Sequence, residues 1–305
     1  MTSASPHSPS AAPRRLIVGC GYLGERLAAR WLAEGARVWG VVRTPTRVAR
    51  LTAAGVEPIV ADVASAVPLP TLPEVDTVVW CVGFDRNAGQ TYRDVHVEGL
   101  RRLLDALAGE PRLIFVSSTG VWGKVDGLRV DETTPAHPDR EAGRVLLEAE
   151  ALLGAHDRGP GTVLRLAGIY GPGRLPRVED LRVGRPLSAD PDSWLNLIHV
   201  DDAAAVVMAV AEQPQPSPLY VVSDGHPVLR REFYGRLANL IGSPPPSWSP
   251  PSPEARGGDK RVDPRRLFAE IGPSLIHADA VGALAGILME DRPLPIQERP
   301  PGTMP

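Results

Sequence analysis

The run Gly19-Cys20-Gly21-Tyr22-Leu23-Gly24 carries the clearest chemistry in the chain. The first glycine permits a tight turn and the second lets backbone approach a pyrophosphate. The third lets a helix pack closely on a strand. An apolar run, 16–18, precedes it and an amphipathic segment, 22–34, follows. The spacing therefore predicts strand, glycine turn and helix, the order of a dinucleotide-binding fingerprint, with helix amides and a partial positive charge aimed at an anion. An acid about 20 residues further on would suit the ribose hydroxyls of NAD. No Asp or Glu lies between Ala36 and Arg50; Arg43, Thr44 and Arg47 stand there instead. A guanidinium suits a 2′-phosphate through charge-assisted, bidentate bonds. The expected cofactor is NADP, with NAD as the alternative.

The elements that must position these groups alternate along the chain. Strands are expected at 16–18, 37–43, 58–63, 77–82, 113–117 and 163–166, with helices at 22–34, 92–107 and 141–153, the last ending at Gly154 as a C-cap. That alternation predicts an α/β fold, a Rossmann-type doubly wound parallel sheet. Beyond Gly171 the pattern loosens into Pro- and Arg-rich loops at 172–192 and 243–253. Further helices are expected at 201–211, with Asp201 as cap, and at 231–241 and 278–289, and a strand at 219–222. The expected organisation is a disordered tail over 1–14, a nucleotide-binding domain over 15–171, and a smaller C-terminal substrate lobe over 172–290. Within that lobe, 198–225 returns to the sheet, and 291–305 forms a second tail. Ligands of open α/β sheets bind beyond the carboxyl ends of the strands. This places Gly19, Gly21, Tyr22, Leu23, Gly24, Arg43, Asp62, Cys81, Val82 and Gly83 around one crevice for the cofactor. Ser117, Ser118 and Thr119 belong to the same crevice. Asp62 either accepts a bond from an adenine amino group or serves a turn.

The chain has 305 residues, 43% hydrophobic and 23% charged, with a formal net charge of −3. That balance argues against nucleic acid as a partner. No apolar run is long enough for a membrane span and no signal core precedes 15, so a cytoplasmic location is expected. Cys20 and Cys81 are the only cysteines, and they form neither a disulfide framework nor a metal spacing. Both read as small residues beside a ligand, and no metal is expected. Lys124 and Lys260 are the only lysines; Lys260 reads as a surface residue.

Taken in order, these residues resemble the extended short-chain dehydrogenase/reductases, the NAD-dependent epimerase/dehydratase family. The likeness rests on Gly19–Gly24, on Phe115-Val116-Ser117-Ser118-Thr119-Gly120-Val121-Trp122-Gly123, on Arg165-Leu166-Ala167-Gly168-Ile169-Tyr170-Gly171-Pro172-Gly173, and on Ile198-His199-Val200-Asp201-Asp202-Ala203. It implies a small-molecule substrate, a nucleotide sugar among the options, and a monomer or homodimer. It also implies that Ser118 is the catalytic serine and that Arg174 and Arg177 meet a substrate diphosphate; a solvated arginine-rich loop is the alternative. The family pairs its serine with a Tyr-x-x-x-Lys, in which the lysine lowers the phenol's pKa. The expected positions hold Ala142 and Leu146, and no Tyr-x-x-x-Lys occurs anywhere in the chain. Thr119, Tyr170 and His199 are the substitutes nearest the expected crevice; Arg140 and Arg144 stay charged and make poor bases. The expected function is an NAD(P)-dependent oxidoreductase or epimerase-like protein acting on a nucleotide sugar or small carbonyl or hydroxyl compound. The alternative is a non-catalytic NADP(H)-binding sensor.

Overall fold

The computed structural model describes residues 12–157, 161–251 and 258–291. Seven parallel strands form the central sheet: β1 (Arg14–Val18), β2 (Arg37–Val42), β3 (Glu57–Val60), β4 (Thr77–Trp80), β5 (Arg112–Ser118), β6 (Gly161–Leu166) and β7 (Leu219–Val222). Their order is β7-β6-β5-β4-β1-β2-β3. The chain leaves β1 toward β2 and β3, then returns to β4 on the other side. This reversal opens a crevice above the carboxyl ends of β1 and β4.

Side chains that alternate across each strand feed two apolar layers. Leu16 and Val18 enter one layer with Trp80, Phe115, Leu103 and Leu146; Ile17, between them, enters the other with Leu27, Trp31, Val79 and Val207. The first layer is closed by α3 (Gly99–Ala106) and α4 (Glu141–Ala155). The second is closed by α1 (Tyr22–Ala33), α2 (Val48–Ala53) and α6 (Val200–Glu212). A third apolar cluster lies apart from the sheet. It joins Tyr170 and Leu197 to α5 (Val178–Arg182), α7 (Arg230–Ile241) and α9 (Ala280–Glu290) through Leu181, Phe233, Leu237 and Leu284. One further short helix, α8 (Arg265–Glu270), sends Leu267 into the second layer.

Several sequence expectations need correction. The helix expected over 92–107 does begin at Tyr92, but a π-turn, Asp94–Glu98, interrupts it before α3. Helix α4 continues past Gly154 to Ala155. The returning segment splits: β7 joins the sheet, but Leu197–His199 pairs with Gly168–Tyr170 in a separate two-stranded ribbon. The imidazole of His199, not Asp201, caps α6, its Nδ1 accepting from the Asp201 N–H at 3.2 Å. The two expected loops pair through short strands, Leu187–Ser188 with Trp248–Ser249. Arg14 belongs to β1, and Asp291 accepts a bond from Gly173 N–H; the remainder of both expected tails, 1–11 and 292–305, lies outside the described residues. Among the described residues no helix is long and apolar enough to cross a membrane.

Candidate functional site

The crevice has a volume of about 430 Å³. Its floor is the glycine turn. Gly19 sits at φ +89°, and a Cβ there would lie 2.6 Å from Val82 Cα, so only glycine fits. A Cβ on Gly24 would lie 2.9 Å from the Gly19 carbonyl oxygen and 3.0 Å from Ile17 Cγ2, which fixes how closely α1 approaches β1. Among the described residues no side chain caps the N-terminus of α1 at Gly21, so its first amides remain available to a ligand. Cys81 Sγ donates to Gly19 O at 3.3 Å. Burial pushes the Cys20 thiol up to about 12 and raises Cys81 as well, so both are inert thiols that fill space beside the turn.

One end of the crevice lies beyond β2 and β3. Arg43, Thr44 and Arg47 line it, with Asp62. Arg43 Nη2 donates to Asp85 Oδ2 at 2.6 Å, and that bond holds the Asp85 carboxyl below its ordinary range. Asp62 accepts from Gln90 Nε2 at 2.8 Å and from Ala64 N–H at 3.0 Å. The Arg43–Asp85 and Gln90–Asp62 bonds tie segment 83–90 across the crevice. Both Asp85 and Gln90 escaped the sequence reading, because nothing in their spacing marks a loop that folds back onto the ends of β2 and β3.

The other end lies beyond β4 and β5, where Ser117, Ser118 and Leu146 form the wall. Ser117 serves the scaffold: its hydroxyl donates to Glu150 Oε1 at 2.6 Å, and Arg165 Nη2 donates to Glu150 Oε2 at 2.7 Å. The Arg165 guanidinium lies over the Trp122 ring, 4.8 Å from its centroid. Ser118 Oγ accepts from Gly120 N–H at 3.0 Å, which leaves its own proton for a ligand. His96 also lines this end. It is 3% exposed, lies tilted against the Tyr92 ring with centroids 4.3 Å apart, and has no partner for either ring nitrogen among the described residues. Burial pushes it down to about 4.

Other candidates sit elsewhere. Thr119 is buried in the short 3₁₀ turn and is not part of the crevice lining. Tyr170 is fully buried, its hydroxyl has no partner among the described residues, and burial raises it above the usual phenol range; it lies in the third cluster rather than the crevice wall. His199 is 1% exposed and pushed down to about 4, first by burial. It approaches Asp202 and His277 closely enough to raise the question of a metal. The two imidazoles, however, stack face to face, with centroids 3.5 Å apart and an interplanar angle of 24°. Their in-plane lone pairs therefore run side by side instead of converging on one ion. Asp202 is already the anchor of a loop, accepting from Ile276 N–H at 2.8 Å and His277 N–H at 2.9 Å. Lys260 is not a surface residue. It is 2% exposed, donates to Trp122 O at 3.1 Å, and is pushed down to about 8 by burial.

The expected arginine cluster divides. Arg177 pairs with Asp180 at 3.1 Å, Arg185 with Asp180 at 2.5 Å, and Arg182 with Glu179. Only Arg174 of this group reaches the crevice.

A seven-strand parallel sheet, helices on both faces and a glycine turn at the switch point define a Rossmann-type α/β protein. Residues 16–222 match the model of the NAD dependent epimerase/dehydratase family, and the chain belongs to that family. Protein YeeZ of Escherichia coli (strain K12) is 32% identical over 271 residues, covering 84% of this chain and 93% of that one. The dTDP-6-deoxy-L-talose 4-dehydrogenase (NAD(P)(+)) of Kitasatospora kifunensis is 29% identical over 275 residues, covering 82% and 86%. A solved structure of a conserved protein of unknown function from Silicibacter pomeroyi DSS superposes with a TM-score of 0.74 at 28% identity, covering 92% of this chain and 99% of that one.

Proposed function

We propose that the chain is an NADP(H)-binding oxidoreductase or epimerase-like enzyme. Its substrate is a nucleotide sugar or a small carbonyl or hydroxyl compound, and it works without the usual Tyr/Lys pair. A dinucleotide fits the residues present: the Gly19 turn admits a close backbone approach, and the uncapped start of α1 offers amides to a pyrophosphate. In this reading Gly19, Gly21, Tyr22, Leu23 and Gly24 hold the pyrophosphate, Asp62 holds the adenine side, and Cys81, Val82 and Gly83 flank the middle. The described residues of 172–290, apart from α6 and β7 which belong to the sheet and its layers, form the substrate lobe. The cofactor would supply hydride transfer. The Ser118 hydroxyl hydrogen-bonds a substrate oxygen and polarises it, and Leu146 keeps water from that wall. A positioned acid or base commonly contributes about 10²- to 10⁴-fold, so turnover through Ser118 alone is slow.

The observation that carries NADP over NAD is the set Arg43, Thr44 and Arg47 at the mouth of the crevice, on a strand end without an acid. A 2′-phosphate replaces the Asp85 carboxylate as the partner of Arg43. Calorimetric titration tests this: wild-type protein binds NADPH more tightly than NADH, and Arg43→Ala weakens NADPH by about tenfold while leaving NADH unchanged. Equal affinities in wild type and mutant would remove the assignment.

A second reading, a non-catalytic NADP(H) sensor, is favoured by the apolar Leu146 in the wall and by the withdrawal of Tyr170 and His199 from it. Oxidation of NADPH in the presence of any member of a carbonyl and nucleotide-sugar panel decides against it.

A further inference from the structure

The arginines around the glycine turn are not equivalent in charge. Arg47 and Arg50 both pair with Glu25, at 3.2 and 2.5 Å. Arg26 pairs with Asp201 at 3.1 Å, and Arg43 with Asp85. Arg174 lines the same crevice and has no carboxylate partner among the described residues. Its guanidinium lies over the Tyr22 ring at 5.2 Å from the centroid, while Arg26 lies 4.6 Å from the same ring. Tyr22 is the first residue of α1, so a cation without a carboxylate partner stands beside the positive end of a 12-residue helix that no side chain caps among the described residues. Like charges gathered without a counter-ion are unfavourable unless an anion joins them.

The loop that carries Arg174 is also held in place. Gly171 adopts φ +149°, and a Cβ there would lie 2.8 Å from the Tyr22 hydroxyl. That hydroxyl donates to Pro172 O at 3.0 Å. Gly173 N–H donates to Asp291 Oδ1 at 2.7 Å, and Arg174 N–H to Gly171 O at 2.9 Å. The backbone of 171–174 is thus fastened to α1 on one side and to the end of α9 on the other, with the guanidinium on the Tyr22 ring and without a carboxylate partner among the described residues. This is the arrangement expected of a pre-positioned anion ligand.

We propose that Arg174 binds the pyrophosphate of the dinucleotide, closing over it from the loop that follows Tyr170. The assignment rests on the cofactor reading above, and it moves Arg174 from the substrate to the cofactor. A diphosphate is the shared chemistry; a nucleotide-sugar substrate would offer the same group.

Binary titrations separate the two sources, because they contain no substrate. Arg174→Ala is expected to weaken NADH and NADPH alike, by about tenfold at low salt, through loss of charge-assisted bonds. Arg174→Lys, which keeps the charge but not the fork, recovers part of the loss. The difference between wild type and Arg174→Ala narrows as salt is raised. Arg182→Ala serves as the control and binds both dinucleotides as the wild type does, since Arg182 pairs with Glu179 away from the crevice. Arg174 is exposed, so thermal unfolding of Arg174→Ala should match that of the wild type. If Arg174→Ala binds both dinucleotides like wild type, the assignment is overturned. If it loses only affinity for UDP, used as a probe of a substrate diphosphate, the assignment is likewise overturned in favour of the substrate. Wild-type protein that binds neither NADH nor NADPH overturns the underlying cofactor reading, a result separable from the other two.

Discussion

His96 presents an imidazole that water does not reach and that nothing in the described chain hydrogen-bonds. A buried polar group left in this state costs about 1–3 kcal/mol, which a stability-optimised core would not retain. In the sequence it follows a valine in a helix, where a backbone-bridging role is open and a ligand role is not expected. The π-turn at Asp94–Glu98 sets it in the crevice wall, and such turns recur at functional positions. Burial holds the folded-state pKa at about 4, below the usual 6.5. The unfolded chain therefore takes up a proton between these values while the folded chain does not. Stability associated with His96 is complete above pH 6.5 and is lost as pH falls toward 4. In His96→Phe that loss disappears. Between pH 7 and pH 5 the wild type should lose about 1–2 kcal/mol more stability than the variant, measured by urea unfolding at both pH values. Parallel losses would show that the imidazole is not shielded as described. Ser118, by contrast, was legible in the sequence, since a hydroxyl just beyond an apolar strand falls at the carboxyl edge of the sheet.

At the scale of elements, the strand–turn–helix unit at the start of the chain was readable because three requirements coincide within a few residues. The strand is apolar on both faces, the glycines fall where backbone must approach backbone, and Leu23, Leu27 and Trp31 recur at helical spacing. Gly19→Ala tests the tightest of these contacts. The new Cβ meets Val82 Cα at 2.6 Å on a residue already at φ +89°, so either the turn or the start of β4's following loop must move. The variant should lose several kcal/mol of stability and its dinucleotide affinity together, measured by urea unfolding and calorimetry. Retention of both would mean that the turn is looser than its geometry indicates. The elements beyond Gly171 were less legible for a physical reason. Strands of two residues, such as Leu187–Ser188 and Trp248–Ser249, are too short to show a period, and their pairing joins positions far apart in sequence. The buried place of Lys260 was hidden for the same reason: its contact is the carbonyl of Trp122, which only the folded chain brings near.

At the scale of the whole molecule, the described residues form three apolar clusters, two against the sheet and one among α5, α7 and α9. The third shares no side chain with the others, so damage within it need not reach the crevice floor. Leu284→Ala, which empties a fully buried position in that cluster, should cost about 2–5 kcal/mol. Adenine-side binding, probed with 2′,5′-ADP, should persist in the folded protein, because Arg43 and Asp62 follow the ends of β2 and β3, away from that cluster. Loss of that binding in the folded variant would show that the clusters act as one. The bond between Asp291 and Gly173 carries a consequence of another kind. It joins the end of α9 to the loop that holds Arg174, so the anion and the C-terminal helix favour the same conformation of 171–174. Linkage makes that relation reciprocal. Whatever tightens the grip on the anion must also protect the end of α9 from proteases, and a cut just before Asp291 must loosen the hold on an anion bound on the far side of that loop.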